Sequence, residues 1–160
     1  MNGDASPTPP RLACRSVPTL FTRIIDGEIP GTFVWRDDQC VSFLSINPVN
    51  PGHALVVPRA EVDVWLDLEP PLAAHLMTVS QMVGRAVQSA FSPLRVGLLI
   101  AGLEVPHTHL HVMPIHADES DLHLDRAGNA TTEELENNAA KIRAVLNSIL
   151  PDGQASGVSS

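Results

Sequence analysis

Cysteine is scarce in this chain, with only Cys14 and Cys40 among 160 residues. Two thiols cannot build a disulfide framework, and neither sits in a Cys-x-x-Cys pair. Positive charge is scarce too. Ten lysines and arginines stand against eighteen acidic residues, for a formal net charge of −8. Contact with a nucleic-acid duplex needs a basic surface, so none is expected, although a few local donors in one pocket can hold a single nucleotide. No apolar run is long enough to span a bilayer. The first residues lack the apolar core of a signal peptide. A cytoplasmic protein with no membrane partner is the expectation.

The hydrophobic share of 44% suits a globular protein, and the length leaves room for one core. Residues 1–18, with Pro7, Pro9, Pro10 and Pro18 among small polar residues, read as a disordered lead-in. Residues 151–160 read as a flexible tail. One domain over residues 19–150 remains, with no internal repeat.

Thr19 can cap a short helix carrying Leu20, Ile24 and Ile25, with Gly27 as its stop. Strands are expected at 32–36 and 40–46, separated by the polar turn Asp37-Asp38-Gln39. Pro48 and Pro51 make 47–52 a loop that delivers His53 to a third strand, Ala54–Pro58. Pro70 and Pro71 suit the first turn of a long helix. Its apolar stripe is Leu72, Leu76, Val79, Met82, Val83, Ala86 and Val87. Residues 95–101 read as a fourth strand, and Gly102 turns the chain into a fifth. Thr131-Thr132-Glu133-Glu134 is a capping-box sequence that opens a last helix carrying Leu135, Ile142, Val145, Leu146 and Ile149. Strands and helices segregate along the chain, giving an α+β class with an antiparallel sheet.

The fifth strand carries the chemistry. His107, His109 and His111 stand at every second position in Pro106-His107-Thr108-His109-Leu110-His111-Val112-Met113-Pro114. In an extended strand they share one face. Chance placement of seven histidines gives such a row in on the order of one chain in a hundred. Imidazole serves as a metal ligand or as a nucleophile and proton carrier. Metal binding by the row is disfavoured: two of the three can converge on an ion, but the outer pair lies about 13 Å apart at Cα in a strand. No metal or other cofactor is expected.

The segment from Ala101 to Pro114 resembles the His-φ-His-φ-His-φ-φ signature of the histidine-triad (HIT) superfamily, where φ is apolar. Two further blocks resemble the same family: Leu20–Pro30, and Asp37-Asp38 followed by Val41–Arg59 with its Pro51-Gly52-His53 turn. Together they span about residues 19–115, in the family's order and spacing, and point to its Hint-like branch. The resemblance implies a HIT-like fold, a five-stranded antiparallel sheet with one long and one or two shorter helices. It implies a homodimer whose two sheets join. It also implies hydrolysis at the α-phosphate of a purine nucleoside phosphoramidate, or a related nucleoside monophosphate conjugate, through a covalent nucleotidyl-histidine. His109, the middle member, is then the nucleophile, oriented by a backbone carbonyl on its own strand. His107, His111 and His53 orient the site and donate to phosphate oxygens. The nucleoside slot is assigned to Leu20, Phe21, Ile24, Phe43 and Ile46, with Ser45 toward the ribose. Core packing is the competing role for each apolar residue.

Two positions depart from the family's pattern. Ser45 stands where a ribose-binding Asp is common, and Leu103 where Gln is common. Leu103 leaves Glu104 as the nearby polar side chain, which favours an amine leaving group over polyphosphate. The alternatives are a dinucleoside polyphosphate hydrolase and a nucleotide-binding module with negligible turnover. His75, His116 and His123 match no motif position and are expected to be bystanders.

Overall fold

The strand alternation sorts the chain onto two faces of one sheet. The computed structural model describes residues 17–117 and 128–150. The strands are β1 (Phe33–Arg36), β2 (Cys40–Leu44), β3 (Ala54–Pro58), β4 (Arg95–Leu99) and β5 (Leu110–Ile115). They pair antiparallel throughout, in the order β1-β2-β3-β5-β4. The helices are α1 (Leu20–Ile25), α2 (Pro70–Phe91) and α3 (Thr132–Ile149), with a single 3-10 turn at Trp65–Asp67. The expected α+β, HIT-like architecture is what the chain adopts. Among the described residues, no helix is long and apolar enough to cross a membrane.

One face of the sheet carries the larger core. Val34, Leu44, Ala54, Val56, Leu110 and Val112 pack against Leu76, Val79, Val83 and Val87 of α2 and Leu135, Ile142 and Leu146 of α3. Burying each of these side chains stabilises the fold by about 1.5–3 kcal/mol before the entropy of ordering it is counted. The expected stripe on α2 is the buried one, with Leu72 and Met82 at its margin. Thr131 and Glu134 form the reciprocal capping box at the start of α3, a device worth about 1 kcal/mol.

The opposite face is smaller and more aromatic. Phe21, Ile24, Phe33, Val41, Phe43, Leu55 and Val57 form a second cluster beneath α1. Thr19 caps α1 by accepting from the Thr22 amide at 3.2 Å. Gly27 follows the helix with φ +81°, in the left-handed region that suits glycine.

Four strand boundaries differ from the sequence reading. β1 starts at Phe33. β2 stops at Leu44 and β4 at Leu99. The larger difference is at the triad: β5 begins only at Leu110, so His107 and His109 precede the strand. Its neighbour β3 ends at Pro58, which has no amide proton to extend the ladder. The incoming segment bonds to the next loop instead, with the Thr108 amide on the Val62 carbonyl at 2.7 Å and its hydroxyl on the Asp63 carbonyl at 3.2 Å.

Candidate active site

All four histidines of the expected site gather on the α1 face. Leu110 and Val112 point into the larger core, so alternation sends His111 to the other side. Leu55, its register partner on β3, belongs to the aromatic cluster. His53 arrives through a glycine turn. Gly52 has φ +96°, and a Cβ there would meet the Phe91 ring at 2.5 Å, so only glycine fits. His53, His107 and His109 are buried, and His111 is half-buried.

The hydrogen bonds fix which nitrogen of each ring carries a proton. His109 Nδ1 lies 2.8 Å from the His107 carbonyl, and a carbonyl only accepts. Nδ1 of the neutral ring therefore holds the proton, and Nε2 holds the lone pair. This is the backbone carbonyl that the family resemblance implied.

His53 Nδ1 accepts from the Val49 amide at 3.2 Å. Its Nε2–H then donates to His111 Nδ1 at 3.0 Å. The remaining proton of neutral His111 sits on Nε2, as a donor free of this pair. Burial is the main force holding both rings neutral. It lowers His53 to about 3, helped by His111 and His109, and His111 to about 4, helped by His109.

His107 occupies a different environment. Its Nε2 donates to the Pro58 carbonyl at 2.8 Å, and its Nδ1 lies 2.8 Å from the Thr19 hydroxyl. Both ring nitrogens are bound by protein, so this ring has no donor left for a phosphate oxygen. The sequence reading assigned phosphate donation to His107, His111 and His53; in this network only His111 keeps a ring N–H for it. His107 instead holds the carbonyl that orients His109. Burial lowers its pKa, against the Pro58 carbonyl and the Glu61 charge, which favour the protonated ring.

Residues absent from the sequence reading of the site support His107. The Thr22 hydroxyl donates to the Glu61 carboxylate, which also accepts from the Thr19 amide at 3.1 Å. Thr19 was legible only as a helix cap. Thr22 and Glu61 carried no signal in the sequence, because their spacing to His107 closes only in the fold.

The expected nucleoside residues divide into two groups. Phe21, Ile24 and Phe43 are buried and pack on one another, with the Phe21 ring edge-on to Phe43 at 5.6 Å and to His109 at 5.0 Å. They form the apolar floor under the histidines. Leu20 and Ile46 are exposed, and half-buried Ser45 accepts from the Asn47 amide at 3.3 Å. Leu103 and Glu104 are exposed on the loop before the triad. His123 lies outside the described residues.

The arrangement offers one aimed lone pair, at His109 Nε2, beside a neutral donor, at His111 Nε2, over an aromatic floor. It suits attack on an electrophile that develops negative charge.

The HIT domain family matches residues 26–118. The chain is 31% identical over 111 residues to an uncharacterized HIT-like protein of Saccharolobus solfataricus, covering 66% of this chain and 80% of that one. It is 29% identical over 100 residues to the adenylylsulfatase HINT3 of Arabidopsis thaliana, covering 59% of this chain and 51% of that one. Among solved structures, a Hit-like protein from Bartonella henselae involved in cell-cycle regulation superposes with TM-score 0.71 at 29% identity. That match covers 79% of this chain and 94% of that one. With its triad, sheet order and these likenesses, the chain belongs to the HIT domain family, within a nucleotide-binding and hydrolase superfamily.

Proposed function

We propose that this protein hydrolyses a purine nucleoside phosphoramidate, or a related nucleoside monophosphate conjugate, at the α-phosphate through a nucleotidyl-His109 intermediate. The carrying observation is the 2.8 Å bond from His109 Nδ1–H to the His107 carbonyl, which leaves Nε2 as the attacking atom. In the first step Nε2 bonds to phosphorus and the bond to the leaving amine breaks. The amine departs with a proton from water, while neutral His111 keeps its Nε2–H and hydrogen-bonds the charge developing on the phosphoryl oxygens. In the second step water attacks phosphorus, the phosphorus–nitrogen bond to His109 breaks, and the proton lost by that water returns to solvent. The products are a nucleoside monophosphate and a free amine.

Exposed Leu103 and Glu104 stand on the loop that enters the triad, where an acidic group suits an amine better than polyphosphate. The Ser45 hydroxyl offers a ribose only a neutral hydrogen bond, weaker than a carboxylate's. The test is a panel of adenosine and guanosine phosphoramidates, a diadenosine polyphosphate and adenylyl sulfate, assayed for mononucleotide release. The phosphoramidates are expected to turn over fastest. Faster release from the polyphosphate or the sulfate would transfer the assignment to that leaving group. No release from any of them would leave a binding module.

A second copy of the chain is proposed to cover the free edge of the sheet. β4 is an edge strand, and between it and α2 lies a cavity of about 560 Å³ lined by Met77, Ser80, Gly84, Val96 and Leu98. Met77 and Leu98 are 50% and 44% exposed there. An unpaired edge beside apolar surface invites pairing with another strand, and a copy offering the same edge joins two sheets into one. Light scattering at micromolar concentration should read about twice 17.1 kDa. A single-chain mass would overturn the dimer.

A further inference from the structure

Asp37, Cys40 and His75 meet on the far side of the sheet from the four histidines. Asp37 and Cys40 flank the turn between β1 and β2, and His75 comes from the first half of α2. One ligand atom from each lies within 4.8 Å of the others. His75 Nε2 stands 2.8 Å from Asp37 Oδ2, and the Cys40 sulfur 3.7 Å from the same oxygen. Cys40 is fully buried, while Asp37 and His75 keep partial access to solvent, with side chains 17% and 27% exposed.

The geometry points to a binding site for a thiophilic divalent cation of the zinc class, held by Cys40 Sγ, His75 Nε2 and Asp37 Oδ2, with water as the fourth ligand. Four features support it. Thiolate, imidazole and carboxylate together form a borderline-soft set that selects zinc over magnesium or calcium. Asp37-Asp38-Gln39-Cys40 places two ligands three positions apart, with two residues between them, across a tight turn, the spacing by which zinc-binding turns present paired ligands. The other Asp37 oxygen, Oδ1, is pinned by the Gln39 amide at 2.8 Å and the Cys40 amide at 2.7 Å, so Oδ2 is the oxygen left to face the cluster. Such outer contacts orient a ligating carboxylate.

The fourth feature is crowding at Oδ2. It receives Trp35 Nε1–H at 2.7 Å and His75 Nε2 at 2.8 Å, with the thiol beyond at 3.7 Å. A carboxylate oxygen has two good acceptor directions, so the thiol is left with a long contact. A cation takes the place of two protons here. Cys40 loses its thiol proton to solvent, and the His75 proton shifts from Nε2 to Nδ1. The bound ion and its two anionic ligands then sum to zero charge, which suits a largely buried site. Ligand bonds of about 2.0–2.3 Å in a tetrahedron require the ligand atoms to stand about 3.3–3.7 Å apart. His75 on its partly open helix face supplies the adjustment. The ion would tie the β1–β2 turn to α2.

Cobalt(II) titration of the chelator-stripped full-length protein tests the site. A thiolate-to-cobalt charge-transfer band in the near ultraviolet should grow to one equivalent, and zinc should abolish it. The band reports sulfur ligation, so cobalt on the four active-site histidines does not produce it. It should disappear in Cys40→Ala, weaken in His75→Gln and persist in Cys14→Ser. Zinc should also raise the unfolding temperature of the wild type and leave that of Cys40→Ala unchanged. A folded wild type without the band, a band that survives in Cys40→Ala, or one lost in Cys14→Ser would overturn the site. Asp37 would then be a purely hydrogen-bonded tie between the turn and α2.

Discussion

Replacing His109 with alanine is expected to remove turnover, by about 10⁴-fold or more, while leaving nucleotide affinity within a few-fold of the wild type. In the proposed mechanism His109 supplies the lone pair that becomes the bond to phosphorus, and none of the other three site histidines offers one, the nitrogens of His53 being on Val49 and His111. Both nitrogens of His107 are committed to Pro58 and Thr19, and His111 Nδ1 is committed to His53. Under the same proposal binding rests on different groups, the aromatic floor and the loop residues around Ser45. Alkaline denaturing quench during turnover followed by intact-protein mass measurement should trap one nucleotidyl group on the wild type and none on His109→Ala. His109→Asn should behave the same way, since an amide keeps a donor but is not a nucleophile. Residual hydrolysis above about 1% of wild type in both variants would remove His109 from the nucleophile's role.

The fold was legible in the sequence to the extent that local patterns reported it. The stripe on α2 names its own buried face, the Thr131–Glu134 box marks the start of α3, and the apolar run of β3 marks a strand buried on both faces. The capping residue and stop of α1 were equally plain. The start of β5 was not. Alternating histidines read as continuous strand from Pro106, but a strand continues only while its neighbour offers partners, and β3 runs out at Pro58. That limit belongs to the pairing of distant segments and leaves no mark on residues 106–109 themselves.

The site shows the same division. The spacing of His107, His109 and His111 brought the right residues forward, and Pro51-Gly52-His53 added the fourth. Their division of labour could not be read from spacing, because it depends on what each ring nitrogen meets. Val49 settles the tautomer of His53 from the preceding loop, and Pro58 and Thr19 settle that of His107 from 49 and 88 residues away. His75 illustrates the converse. It matches no motif and lies on a helix, yet it is an Asp37 partner at 2.8 Å.

His111→Ala should lower kcat by about 10²- to 10³-fold with little change in KM, the usual cost of losing one donor aimed at transition-state charge. Its donor is prepared by a chain: the Val49 amide fixes His53, and His53 Nε2–H fixes His111 Nδ1, leaving Nε2–H as the donor that the proposed mechanism assigns to the phosphoryl oxygen. The same pair should make the fold acid-sensitive. In the unfolded chain both rings titrate near 6.5, while in the folded protein they titrate at about 3 and about 4. Above 6.5 neither state takes up a proton and the stability is complete. As the pH falls from 6.5 toward 4, the unfolded chain binds protons that the folded one refuses, so stability is lost progressively. The loss is at most about 1.4 kcal/mol per pH unit from buried His53, and less from half-open His111, which water screens. Urea unfolding of the wild type at pH 7 and pH 5 should show the decline, and His111→Ala should show a shallower one, because one depressed ring is gone and its repulsion of His53 with it. Equal slopes in the two proteins, or kcat within threefold of wild type in the variant, would mean that His111 is neither the neutral partner nor the donor described.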